Sequence, residues 1–316
     1  MKLNSIFRKY GIIIVLAVLI FAFGIGNKLF FTVSNFINII RQISILGIIT
    51  IGMSFVLISG GIDLSVGSQL SFIGVVTATM FTKYNINPLL ACSIGILIAT
   101  LVGTMNGVFI ANTKVPPLIA TLAMQQILLG LGYIISKGKP IYGLTQSVKF
   151  IGQGHIGPIP TPIIILIIFI VIGSFVLNKT YLGRYFYAIG SNDEVARLSG
   201  INVKLVRTLA YAMCGFLSGI AAIIMMSRIN SGSPTVGSGF EMDVLTAAVL
   251  GGVSVSGGEG KIFGAMVGAL IIGVLSNGLI IMNVSEYYQM VIKGLVLACA
   301  IAFDSVNNKK MQSNAL

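Results

Sequence analysis

The sequence predicts an all-α membrane protein of about ten transmembrane helices, and three observations carry that prediction. The 316 residues are 56% hydrophobic and only 9% charged, with a mean hydropathy of +0.99, whereas a soluble globule carries about a quarter of its residues as charges. Apolar runs long enough to cross a bilayer recur along the whole chain, separated by short polar breaks. Basic residues are modestly more numerous on one side of the spans, the bias that orients membrane helices. Two soluble domains would fit the length, but the runs use it up as a single membrane domain over residues 1–316.

The first run, 11–23 and on through 31, follows Lys2, Arg8 and Lys9. It exceeds the apolar core of a cleavable signal, so it reads as a retained anchor with its N-terminus inside. The second span covers 39–58, with Arg41 near its outer end. SGGIDLSVGS (59–68) then interrupts the apolar pattern before a third span that ends near residue 82. A fourth covers 89–111, and Pro116 with Pro117 opens a fifth that reaches 135, as proline suits a first helical turn. Residues 136–160 read as a long Gly/Pro/Lys loop before the sixth span, 163–177. The seventh covers 209–226, and the eighth, 244–255, is short and broken by Gly251 and Gly252, which suits a half-span or re-entrant segment. The ninth and tenth cover 262–282 and 288–303.

Between the sixth and seventh spans lies the longest polar interruption, residues 179–207. Ser191 and Glu194 stand three apart as in a capping box, which predicts a helix starting at Asn192. Asp193 and Glu194 in its first turn and Arg197 near its end match the helix dipole, and Gly200 can adopt the left-handed stop. With Lys179, Arg184, Lys204 and Arg207 nearby, the segment reads as a cytoplasmic loop. Ten spans place both termini on that side, with about twelve basic residues inside against about seven outside.

In 59–68, glycines allow the backbone to leave helical geometry, and Ser65 or Ser68 can cap the next span. Asp63 is costly at membrane depth and would there be paired or line a polar path. At the water interface it would only cap a turn, and the sequence leaves both open. Lys293, inside the tenth span, either snorkels or pairs with a carboxylate such as Asp304. Cys92, Cys214 and Cys299 fall in apolar segments without CxxC spacing, and the single histidine, His155, stands without other candidate ligands, so no metal site is expected. A phosphate loop ending at Gly260 and Lys261 would need glycine at Val255 and Ser or Thr at Ile262, so no nucleotide-binding motif, catalytic residue or cofactor is expected.

An internal repeat is visible: SVGS (65–68) recurs as TVGS (235–238), and Asn106, Gly107 and Asn112 recur as Asn277, Gly278 and Asn283. Five spans per half is odd, so such halves would be inverted about the membrane plane. GxxxG spacings at Gly103–Gly107, Gly215–Gly219 and Gly264–Gly268 favour close helix packing.

Three stretches give the chain a specific likeness: SGGIDLSVGS, LGRYFYAIGSNDEVARLSGI (182–201) and AAVLGGVSVSGGEGKIFGAMVGALIIGVLSNGL (247–279). Over almost its whole length it resembles the permease subunits of bacterial ribose-type ABC sugar importers. The resemblance implies a plasma-membrane pore of two permease subunits, identical or not, a separate cytoplasmic ATP-binding subunit and an extracytoplasmic sugar-binding protein. It puts coupling to the ATPase on Gly183, Arg184, Gly190, Ser191, Asn192, Glu194, Arg197 and Gly200, and the translocation path or gate falls to Gly61, Asp63, Ser65 and Gly67. A secondary, ion-coupled sugar transporter or channel is the alternative, but it would want ionisable residues deep in several spans, where only Asp63 and Lys293 are candidates.

Overall fold

The computed structural model describes residues 2–313. The surroundings of the side chains of Lys2, Arg8, Lys9, Phe303, Lys309 and Lys310 lie outside what it describes, so the part of the orientation argument that rests on the terminal charges does too. Among the described residues the chain forms thirteen α-helices and one two-stranded hairpin: α1 (Lys2–Gly26), α2 (Val33–Ile58), α3 (Val66–Thr82), α4 (Pro88–Asn112), α5 (Pro117–Ser136), α6 (Gln146–Gln153), β1 (His155–Ile156), β2 (Ile159–Pro160), α7 (Thr161–Lys179), α8 (Tyr181–Ser191), α9 (Asp193–Leu198), α10 (Val203–Ile229), α11 (Phe240–Leu250), α12 (Ile262–Ile281) and α13 (Glu286–Ser313).

Each apolar run found in the sequence coincides with one of these helices. Six of them, α2, α4, α5, α7, α10 and α12, are long and apolar enough to cross a membrane, and α3 and the 12–26 part of α1 are shorter apolar helices. Local chemistry sets the boundaries. Thr32 caps α2 by accepting from the Asn35 amide, and Asn87 caps α4 ahead of Pro88. Pro117 opens α5, where its missing amide costs nothing.

The loop expected at 136–160 holds more structure than its composition shows. Its α6 docks through Gly152, whose amide donates to Ser227 Oγ at 2.7 Å while that hydroxyl donates to the Val148 carbonyl at 2.6 Å. The hairpin that follows is held by Arg41, which donates to the Gln153 carbonyl at 2.7 Å.

α2 is the hub: 83% of its most apolar window is buried inside the protein, against 22% for α5 and α7, which therefore form the rim. A helix apolar on every side belongs in such a centre. α10 packs beside it and crosses α4 at near backbone contact, because a Cβ at Gly103 would stand 3.0 Å from the Gly215 Cα. The Gly264–Gly268 spacing does the same for α12 against α11, where a side chain on either glycine would overlap the carbonyl of Gly251 or Ala247. All three small-residue spacings thus serve packing.

The two repeated motifs meet. A Cβ at Gly237 would overlap the Gly67 carbonyl oxygen, and the Gly237 amide donates to Ser71 Oγ at 2.9 Å. The repeated asparagines have different partners: Asn106 bonds Ser65, whereas Asn277 and Asn35 exchange a reciprocal pair of amide hydrogen bonds at 3.0 and 2.8 Å. Lys293 pairs with Asp243 Oδ2 at 2.7 Å and not with Asp304. The packing of α13 on α11 brings Asp243 to it, while Asp304 Oδ2 accepts from the Val255 amide at 3.3 Å.

Candidate functional site

Thr180 caps α8 by accepting from the Gly183 amide at 3.3 Å. Gly183 is required there because any side chain would overlap the carbonyls of Val176 and Leu177 at the end of α7. Arg184 lies over the Tyr181 ring, 4.4 Å from its centroid. Phe186 and Ile189 point inward.

The cap of the next helix differs from the one expected. Ser191 is the last residue of α8, and its hydroxyl donates back to the Tyr187 carbonyl at 2.9 Å. Asn192 is the N-cap of α9, its Oδ1 accepting from the amides of Glu194 and Val195 at 2.9 and 3.0 Å. Both residue types can cap. α8 runs one residue further than the capping box allowed, which leaves Asn192 in the extended conformation that a cap needs. The left-handed stop stands at Gly200, with φ +84°. The Gly200 amide bonds the Arg197 carbonyl and the Ile201 amide bonds the Ala196 carbonyl, the paired bonds of a Schellman ending.

Only Ala196 of α9 is buried. Val195 and Leu198 are 57% and 81% exposed, beside the Glu194–Arg197 pair at 3.4 Å. Asp193 pairs with Arg207, tying α9 to α10. A helix of six residues has little stability of its own, so its caps and these ties hold it with two apolar and two charged side chains facing outward.

Behind this outward face lies a backbone junction. Gly190 meets the end of α2: a Cβ there would overlap the Ile58 carbonyl oxygen and stand 2.5 Å from the Gly258 nitrogen. The Gly258 amide donates to the same Ile58 carbonyl at 2.9 Å. Gly257 and Gly258, with φ +87° and +73°, turn the 251–261 loop into this contact, and the Tyr187 hydroxyl donates to the Gly260 carbonyl at 2.7 Å. Burial pushes the Tyr187 hydroxyl above its ordinary pKa, keeping it a donor. Three stretches far apart in the chain thus touch at one point. As a failed phosphate loop, 257–261 looked idle; in the fold it is one wall of this junction.

From Ile58 the chain needs five residues to reach Asp63. Gly61 passes beneath Tyr211, whose hydroxyl donates to the Ile62 carbonyl at 3.1 Å. Asp63 is wholly buried. Its Oδ1 accepts from the Ser65 amide at 3.0 Å, the Ser65 hydroxyl at 2.6 Å and Asn106 at 3.4 Å. Ser65 Oγ in turn accepts from Gln69 at 2.9 Å and Asn106 at 3.0 Å. The carboxylate does cap a turn, but inside the protein and not at a water interface. Ser65, the residue before α3, makes no side-chain cap bond itself. Burial pushes the Asp63 carboxyl above its usual range, opposed by the bonds from Ser65 and Asn106.

The structure therefore gathers Gly61, Asp63 and Ser65 into one polar cluster, to which sequence reasoning had not assigned Asn106, Gln69 and Tyr211. Gly67 lies on the other side of the α3 start, against Gly237 and Glu241. Of the residues expected to couple to an ATPase, Gly183 and Gly190 are packing contacts, Asn192 and Gly200 are the caps of α9, and Glu194 and Arg197 are its exposed charges.

Residues 35–301 match the family described as branched-chain amino acid transport system / permease component. The ribose import permease protein RbsC of Escherichia coli (strain K12) is 40% identical over 302 residues, covering 94% of this chain and 93% of that protein. The Bacillus subtilis (strain 168) protein of the same name is 40% identical over 303 residues, covering 95% and 94%. The L-arabinose transport system permease protein AraH of Escherichia coli (strain K12) is 39% identical over 306 residues, covering 97% and 93%. No solved structure matches the chain. A match over most of the length, with relatives this similar end to end, shows that the chain belongs to the branched-chain amino acid transport system / permease component family.

Proposed function

We propose that this chain is the membrane-spanning permease of an ATP-binding cassette importer for ribose or a related monosaccharide. An ATPase would bind on the α8–α9 side and a sugar-binding protein on the opposite face. The observation that carries the coupling role is the glycine junction: α9 presents Glu194, Val195, Arg197 and Leu198 outward, while α8 behind it is locked by backbone contact to the end of α2, which leads directly to Asp63. Force applied to α9 then has a rigid route into the protein. Relatives named for ribose, arabinose and allose support a monosaccharide as cargo.

In this reading α1, α3, α11 and α13 complete a ten-span bundle, and the contact of the SVGS and TVGS motifs marks the seam between two inverted halves. The α8–α9 side faces the cytoplasm with both termini, and two permease subunits assemble in the plasma membrane. The test is reconstitution of the permease with the ATPase and binding protein in proteoliposomes, following labelled ribose, arabinose and allose. Accumulation is expected only with ATP and all components. Uptake by the permease alone, driven by an ion gradient, would overturn the importer reading in favour of a secondary transporter.

A further inference from the structure

Glu241 stands where the two repeated motifs meet. It lies in the first turn of α11, an eleven-residue helix that stops far short of a full crossing. Its side chain is more than nine-tenths buried, being 6% exposed. Oε1 accepts from Gln125 Nε2 at 2.8 Å, a bond that joins α11 to α5. Oε2 is buried and hydrogen-bonds no protein group among the described residues, and it is aimed at the start of α3, where a Cβ on Gly67 would overlap it. Gly237 closes the other side against the Gly67 carbonyl. Ser238, Gly239 and Met242, all within three residues of Glu241, are exposed, so this stretch of chain runs along a surface.

Packing alone does not account for an acid in this position. An acidic side chain in a first turn favours its helix dipole, but an exposed one would do so without the cost of burying a carboxylate oxygen that has no donor. The surroundings indicate which donor fits. Gln125 Nε2 carries a second N–H beside the one it gives to Oε1, and Oε2 supplies an acceptor, so the site offers a donor and an acceptor side by side. A hydroxyl group, which both donates and accepts, matches that mixture. Adjacent hydroxyls of one small molecule could bond Oε2 and an N–H together.

We infer that Glu241, held by Gln125 and given room by Gly67, is a specificity-determining residue of the transport path that accepts hydroxyl hydrogens from the passing monosaccharide. This rests on the importer reading above and adds to it a contact for the cargo. Binding to a carboxylate at the seam between the halves places the sugar where movement of either half reaches it.

The experiment uses the complete transporter in proteoliposomes and measures both labelled ribose uptake and binding-protein-stimulated ATP hydrolysis. Glu241→Gln keeps the shape and the α5 contact while losing the carboxylate. Uptake is expected to fall about tenfold with hydrolysis within about twofold of wild type, so that sugar moved per ATP drops, as for the loss of roughly one charged hydrogen bond. Gln125→Leu, which frees the carboxylate from its support, should lower the same ratio less. A structural cap would behave otherwise: uptake and hydrolysis would fall together with thermal stability, or neither would change, and either result overturns the inference. If the wild-type complex accumulates no sugar, the importer reading itself fails and this contact falls with it.

Discussion

Gly190→Ala tests the junction that joins α8 to α2. The added methyl would overlap the Ile58 carbonyl oxygen, stand 2.5 Å from the Gly258 nitrogen and 2.9 Å from the Ile58 carbonyl carbon, where ordinary contact begins at 3.4 Å. Every obstacle is backbone, so no side-chain rotation relieves it. Either α8 withdraws by more than roughly 1 Å, since the Ile58 carbonyl oxygen is nearer still than the Gly258 nitrogen, or the 2.9 Å bond from Gly258 to Ile58 breaks. Overpacking costs about 1–3 kcal/mol and a lost hydrogen bond about 0.5–1.5 kcal/mol, so either route costs on the order of 1–3 kcal/mol at one point. That rivals the roughly 1–3 kcal/mol by which two sites in a protein are usually coupled. The control is Gly130→Ala in α5, where no heavy atom lies within 4 Å of the new methyl and the backbone is helical. In proteoliposomes carrying the ATPase and binding protein, Gly190→Ala should lower ATP-driven sugar uptake about tenfold or more while the ATPase still co-purifies. Gly130→Ala should keep most of it. If Gly190→Ala transports within about twofold of wild type, or the control is the worse of the two, the junction does not transmit force.

Asn192→Ala should destabilise α9 by about 0.5–2 kcal/mol and weaken co-purification with the ATPase, while Ser191→Ala, which removes only a bond back to Tyr187, should leave it unchanged. Asp63→Ala strands three buried donors at about 1–3 kcal/mol for each left unpaired, so it should abolish uptake and lower the melting temperature. Asp63→Asn keeps the Oδ1 acceptor and should retain most of both. Lys293→Met leaves Asp243 in a largely buried place without its cation and should cost about 3 kcal/mol in detergent-solubilised stability, whereas adding Asp243→Leu should recover most of that loss. Additive losses in the double variant would show that the pair does not interact.

Hydropathy made the helices legible because each apolar run has one solution in a bilayer, a helix. It misjudged 136–160, where glycine and proline hide α6, a helix held to α10 through Ser227 and Gln153. Ser191 and Asn192 show the limit of motif reading. They are adjacent residues of equal capping ability, and the choice was made by how far α8 extends, a matter of its buried Phe186 and Ile189. Asp63 was recognisable as unusual, but its partner Asn106 is 43 residues away and had drawn notice only through the repeat. Lys293 with Asp243, and Glu241 with Gln125, are 50 and 116 residues apart. Such pairs follow from helix packing, which a single sequence does not display.

The shortness of α11 bears on how the chain is made. Its eleven residues rise about 16 Å, roughly half the apolar thickness of a bilayer. If α11 is one of the ten proposed spans, the irregular backbone before it carries amide groups to a depth where lipid offers them nothing. One of those groups, the Gly237 amide, is met by Ser71, which leaves the ribosome well over a hundred residues earlier. On that reading the partner for this amide is already made when the C-terminal third emerges.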